Sequence, residues 1–331
     1  MNYDRLFNIR ISEEAIKLSR RFGLLPYMAE RYIMMFGLDG VEEFLRAVHN
    51  GIPRSIRCNK LVVKSCGDLV SRLEEKGFKI RQSKIIPYGY YVDYEPVSLG
   101  STVEHLLGYY FIQGIGSMAS VVALSPQPGE LVADLASAPG GKTTHIAQLM
   151  NNTGRILSID VDARRLAKLV SNIERMHVRN VIVLMADILN VKVNEGSFDR
   201  VMLDAPCTGE GLIVYKKERF FTRTIDDLRK MSEYQLKLLL KAFKFLKPGG
   251  TMVYATCSIA PEENEFVITR ALDETDEMEV IDTRLDGAKN VPGITEFNGV
   301  RFKDEVKNCL RLYPHTDSTE GFFICLMKRK E

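Results

Sequence analysis

Two cysteines stand directly after apolar runs, in Asp204-Ala205-Pro206-Cys207-Thr208-Gly209 and in Thr256-Cys257-Ser258. A thiolate is intrinsically a strong nucleophile, and two sulfurs at one rim permit a covalent route in which one attacks and the other helps the product leave. The bland alternative for either cysteine is a small buried hydrophobe. Asp204 opens the first of these loops and could hold or share a proton with a reacting ring. Lys142, in Gly140-Gly141-Lys142-Thr143, could lower a thiol pKa or contact the same ring. Its ordinary reading is a solvated lysine at the start of a helix.

A second chemical feature precedes these loops. The run Asp134-Leu135-Ala136-Ser137-Ala138-Pro139-Gly140-Gly141-Lys142-Thr143 places two glycines between a strand and a helix, where the backbone can turn tightly and offer free N–H groups to a ligand. A triphosphate loop would need glycine where Ala136 stands, so that pattern fails. Asp160 and Asp162 follow the next strand, where an acidic side chain can take both hydroxyls of a ribose. Arg165 stands in the same turn, and Asp187, after the third strand, could accept from an adenine amino group. Strand-end aspartates also cap helices. Three in succession favour an adenosine-type cofactor over a triphosphate.

The elements that must position these groups alternate regularly. Short apolar runs occupy residues 131–135, 155–160, 181–184, 198–204, 251–256 and 322–327, with helical periodicity between them. That alternation predicts an open, parallel, doubly wound α/β sheet, whose ligands bind beyond the carboxyl ends of the strands. The clearest helix is expected over residues 228–246, stopped by Lys247-Pro248-Gly249-Gly250. Residues 1–52 read as short amphipathic helices punctuated by Gly23, Gly37 and Gly51. Residues 53–115 read as a small α+β module, with a strand over 56–63, a helix over 68–76 and a strand over 78–86, leaving 116–331 as the catalytic domain.

Composition narrows the setting. A chain of 331 residues, 45% hydrophobic and 27% charged, is an ordinary globular protein of about two domains. No apolar run is long enough to span a bilayer, and no signal-peptide core follows Met1, so a cytoplasmic protein is expected. Its six cysteines form no Cys-x-x-Cys pair, which predicts free thiols and no structural metal. The net charge of +2 is uninformative, but residues 54–84 and 213–247 each carry an excess of six positive charges. Aromatic residues interleave them, a composition suited to phosphate contact and base stacking. Arg54, Arg57, Asn59, Lys60, Lys216, Lys217 and Arg219 are the candidate nucleic-acid contacts.

Taken together and in this order, Asp134 to Thr143, Asp204-Ala205-Pro206-Cys207-Thr208-Gly209-Glu210-Gly211 and Tyr254-Ala255-Thr256-Cys257-Ser258 resemble the Sun and nucleolar-protein family of RNA cytosine-5 methyltransferases. Gln113 to Met118, Arg311 to His315 and Gly321-Phe322-Phe323 agree more weakly, and Arg57-Cys58-Asn59 looks like the family's N-terminal RNA-binding stretch. The resemblance implies a class I, Rossmann-like fold with a smaller RNA-binding module, S-adenosylmethionine as cofactor and a monomer acting on transfer RNA or ribosomal RNA, the former favoured. It further implies Cys257 as the nucleophile at carbon 6 of the cytosine, Cys207 as the aid to product release, and Asp204 and Lys142 in the active site. Ala138, Gly140, Lys142, Asp160, Asp187 and Asp204 would surround the cofactor. Ala136-Ser137 departs mildly from the commoner spelling.

Other readings lack their marks. A DNA cytosine-5 methyltransferase would carry a Glu-Asn-Val block, and an amino-group methyltransferase an aromatic residue after the proline pair. An inactive RNA-binding assembly factor of the same fold is the alternative from a different class, disfavoured by the intact cysteines and glycine loop.

Overall fold

The computed structural model describes residues 3–331. Two helices lead, α1 (Glu13–Phe22) and α2 (Pro26–Asn50), the second kinked at Gly37, whose φ of 71° a side chain would resist. A four-stranded antiparallel sheet follows, in the order β2-β3-β1-β4, from β1 (Arg54–Cys58), β2 (Lys79–Gln82), β3 (Gly89–Tyr94) and β4 (Tyr110–Ile112). Helices α3 (Cys66–Glu75) and α4 (Val103–Leu106) belong to the same module. The expected strand over 56–63 is shorter than read because the chain turns at Asn59, whose carbonyl accepts from Val62 N. The strand expected over 78–86 is likewise shorter, and β3 and β4 have no counterpart among the sequence expectations.

Helix α5 (Ile115–Leu124) leads into the main sheet. Its parallel part runs β9-β8-β5-β6-β7, from β5 (Leu131–Leu135), β6 (Arg155–Asp160), β7 (Val181–Met185), β8 (Phe198–Asp204) and β9 (Leu246–Thr256). Between these strands lie α6 (Gly141–Leu149), α7 (Ala163–Arg175), the short α8 (Arg219–Thr222) and α9 (Ile225–Phe243). The remaining elements are α10 (Glu265–Glu274), β10 (Met278–Ile281), β11 (Val291–Pro292), the hairpin of β12 (Glu296–Phe297) and β13 (Val300–Arg301), β14 (Leu310–Leu312), α11 (Pro314–Asp317) and β15 (Phe322–Arg329).

Three expectations are corrected here. The sheet is mixed, because β15 joins β9 antiparallel and carries β14 and β10 antiparallel as well. The link from β14 to β15 is too short for a parallel crossover, which needs a dozen residues or more. Helix α9 ends at Phe243, and the Lys-Pro-Gly-Gly run lies in the irregular start of β9, where the register with β8 shifts. Four of the six cysteines are paired as Cys58–Cys66 and Cys309–Cys325, 8 and 16 residues apart. The second pair lies one residue beyond the β14–β15 ladder, next to the Leu310–Ile324 pairing, a neighbour relation that spacing along the chain does not reveal.

Apolar clusters cover both faces of the main sheet, one around Val201, Tyr254 and Phe323 and the other around Met118, Ile146 and Val253. The leading helices pack their own cluster, with Tyr32 and Phe44, against Ile213, Phe220, Ile259 and Tyr313. Residues 13–50 therefore sit on the loops that carry the cysteines. No described helix is long and apolar enough to cross a membrane.

Candidate active site

Register brings the two cysteine loops together. Asp204, the last residue of β8, is paired with Ala255 of β9, so Cys207 and Cys257 leave adjacent strands within a few residues of that pairing. Neighbouring strands run under 5 Å apart. The two sulfurs stand 3.3 Å from each other, and both residues are partly exposed. The loops are stitched further by Ala205 N to Ala255 O and Gly211 N to Cys257 O, each 2.9 Å. A side chain at Gly211 would strike the carbonyl of Gly321, so the approach of these loops to the start of β15 requires glycine there.

Lys142 is buried, contrary to the solvated reading. Its Nζ donates to Ser117 Oγ at 3.1 Å and pairs with Asp204 Oδ2 at 2.7 Å. Burial alone would pull the ammonium down, but Asp204 more than offsets it and holds the charge above its usual range. The hydrogen bond from Cys257, and then burial, push the Cys207 thiol well up. Cys257, Asp204, Lys142, Ser117, Glu320 and Tyr215 line an open cavity of about 490 Å³.

A smaller cavity of about 270 Å³ lies alongside, lined by Asp134, Ala136, Ser137, Ala138, Pro139 and Gly141, and shares Lys142 and Asp204 with the first. Gly140, at φ 102°, turns the chain into α6, and a Cβ there would lie 2.7 Å from Leu169. Asp134 is fully buried, and its Oδ2 accepts from Thr143 Oγ1 at 2.5 Å while Oδ1 has no partner. Burial pushes its carboxyl up to about 7 against the pull of that bond. Asp134 takes no role in the sequence reading although it is the penultimate residue of the strand before the glycine loop.

The other acidic candidates are engaged locally. Asp160 accepts from Ala138 N and Asp162 N, both at 3.1 Å, and pairs with Arg165. Asp162 caps α7, accepting from Arg164 N and Arg165 N, which is the helix-cap alternative. Asp187 accepts from Leu189 N and Asn190 Nδ2. Asp160, Asp162, Arg165 and Asp187 lie outside the lining of the smaller cavity.

Among the nucleic-acid candidates, Arg54, Lys60, Lys216 and Lys217 are exposed, and Arg54 reaches the cavity that holds Cys257. Arg57 and Asn59 are corrected: both are completely buried and cannot meet a phosphate. Arg57 binds Gln113 Oε1, Gln148 Oε1 and Thr144 Oγ1, while Asn59 donates to the carbonyls of Gly108 and Met176. Arg219 spends its guanidinium on the carbonyl of Thr208, beside Cys207. Arg31 of α2 went unnoticed in the sequence, yet it pairs with Glu210 and Glu262 at 2.7 Å in the interior.

Comparison with known proteins gives the family. The family described as 16S rRNA methyltransferase RsmB/F matches residues 121–328. The chain is 38% identical over 310 residues to a mouse (Mus musculus) 28S rRNA (cytosine-C(5))-methyltransferase, covering 92% of this chain and 38% of that protein. It is 36% identical over 309 residues to the tRNA (cytosine(49)-C(5))-methyltransferase of Pyrococcus abyssi, covering 91% and 95% respectively. A methyltransferase homologue from Pyrococcus horikoshii superposes with a TM-score of 0.83 at 40% identity, over 96% of this chain and all of that one. The chain spans 37% to 51% of the length of four eukaryotic relatives that it matches.

Proposed function

Since the chain belongs to the RsmB/F methyltransferase family, we propose that it methylates carbon 5 of a cytosine in RNA, with S-adenosylmethionine as donor and Cys257 as covalent nucleophile. The observation that carries this reading is the pair of sulfurs 3.3 Å apart beside the Lys142–Asp204 pair. Transfer RNA is the favoured substrate, because the relative matched along 95% of its length is named for tRNA.

The smaller cavity fits the cofactor. Asp134 leaves one buried oxygen unpartnered, and Ala138 to Gly141 expose backbone with almost no side chain. Asp134 and the backbone of Ala138, Pro139 and Gly141 would hold the ligand. When bound, the cofactor supplies an electrophilic methyl group.

The residues of the chain do the rest. Cys257 forms a bond to carbon 6, which makes carbon 5 nucleophilic, while Asp204 and Lys142 share the proton that neutralises charge at N3. Cys207 is held as a thiol while the neighbouring sulfur is free. Once Cys257 is bonded to carbon the leading cause of that upward shift is gone, although burial still raises the thiol, and Cys207 acts as the base after losing its own proton to solvent. It removes the carbon 5 proton, the sulfur–carbon 6 bond breaks, and the electron pair returns to Cys257. Arg54, Lys60, Lys216 and Lys217 would contact phosphates.

The test is incubation of the protein with labelled S-adenosylmethionine and RNA transcripts, followed by bisulfite sequencing. Label at a cytosine, lost in Cys257→Ala, supports the reading. Absence of label in every RNA would favour an inactive assembly factor. Cys207→Ala should accumulate a denaturant-resistant protein–RNA adduct, and an adduct that requires Cys207 would reverse the two roles.

A further inference from the structure

Glu263 follows the second cysteine loop and is completely buried, and its carboxylate receives four donors. Oε1 accepts from Thr208 N at 2.8 Å and from Gln235 Nε2 at 3.2 Å. Oε2 accepts from Thr208 Oγ1 at 2.6 Å and from Ser258 Oγ at 2.5 Å. Thr208 is the residue after Cys207, and Ser258 the residue after Cys257. Gln235 also donates to the carbonyl of Pro206 at 2.8 Å, so the residues on both sides of Cys207 lead back to the same carboxylate. Tyr254 closes the arrangement by donating to the Glu263 carbonyl at 2.6 Å.

We propose that Glu263 is the positioning residue that sets the separation of the two sulfurs, acting through Thr208 on one loop and Ser258 on the other. The inference rests on the thiol roles given above but concerns the geometry that makes them possible. A carboxylate is suited to this because it is acceptor-only, with about four lone-pair sites for the four donors that converge on it. An amide of the same shape can keep its oxygen on Thr208 N and Gln235 Nε2, but it turns N–H groups toward the Thr208 and Ser258 hydroxyls, which must then accept, so charge-assisted bonds become weaker neutral ones. Glu263→Gln therefore keeps the volume and weakens the hold on both loops. A displacement of a reacting atom by about 1 Å is enough to cost about a hundredfold in rate.

The separation can be read without RNA. Phenylarsine oxide, a trivalent arsenical, bridges two nearby thiols, and Cys207→Ala supplies the background from other cysteines. In Glu263→Gln the arsenical affinity and kcat should each fall by about tenfold to a hundredfold, with cofactor affinity and KM for RNA within about twofold of the parent. Glu263→Asp, which keeps the acceptors on a shorter stem, should recover part of both losses. Thr208→Val removes one donor and should give a smaller loss that does not add to that of Glu263→Gln, because both act on one network. If Glu263→Gln does not fold, Thr208→Val and Glu263→Asp carry the test. A folded variant with unchanged arsenical affinity and unchanged kcat overturns the proposal, as does strict additivity. Loss of arsenical affinity in a protein that methylates no RNA would leave the positioning intact and overturn the reading of function.

Discussion

The proposed cofactor side and the thiol side of this sheet are built on different principles. On the proposed cofactor side, the loops after β5, β6 and β7 are held by short-range bonds: Asp162 and Asp187 bond within their own turns, Asp160 bonds its own turn and the adjacent loop at Ala138 N, and Gly140 bends the chain by its own backbone freedom. On the thiol side, the loops after β8 and β9 are held by distant buried charges. Arg31 spans to Glu210 and Glu262, Glu263 spans to Thr208 and Ser258, and Arg311 pairs with Glu265 in the interior. A cofactor that reads backbone needs only a correctly bent loop. Two sulfurs that must meet one ring need their loops fixed against each other, which local turns cannot do.

This contrast makes separate demands on mutation. Cys257→Ala should reduce methylation by at least about three orders of magnitude while isothermal titration finds cofactor affinity unchanged. A parallel loss of cofactor affinity would mean that the two sides are not independent. Arg31→Met strands two buried carboxylates and should cost about 3–5 kcal/mol in a denaturant titration, far more than any exposed pair such as Arg21–Glu42. Gly140→Ala forces a Cβ toward Leu169 at positive φ and should weaken cofactor binding by about tenfold, with the arsenical affinity of the cysteine pair unaltered.

A pH dependence is also expected. Asp134 is raised from 3.8 to about 7 by burial, so the native state binds its proton more tightly than the unfolded chain does. Its ionisation therefore costs stability progressively as pH rises from about 4 toward 7, and that slope should vanish in Asp134→Asn. Cofactor affinity should move the other way and strengthen as pH rises through about 7, because the carboxylate is then charged. An Asp134→Asn protein with the parental pH profile would remove Asp134 from the cofactor site.

The sequence was most legible where function is carried by local backbone. Strands β5, β6 and β8 match their apolar runs residue for residue, and the glycine loop, Lys142 and both cysteines fall at the expected strand ends. It was least legible where polar residues turn inward. Glu262, Glu263 and Glu265 take no role in the sequence reading, yet each is buried on a partner far away in sequence, Arg31, Thr208 and Arg311 respectively. Arg57 is the converse case: an apparent phosphate contact whose charge is satisfied by two amide oxygens and a threonine inside the protein.

What residue order alone determined here was the alternation of strands and helices, the loops after them and the reactive groups those loops carry, because periodicity and glycine placement are properties of neighbouring residues. Which charges are buried, which cysteines pair and how close Cys207 comes to Cys257 were decided only by tertiary structure. Those quantities depend on register between strands and on partners a hundred or more residues away, such as Arg31 for Glu210, and a buried charge is tolerated only after that partner has arrived.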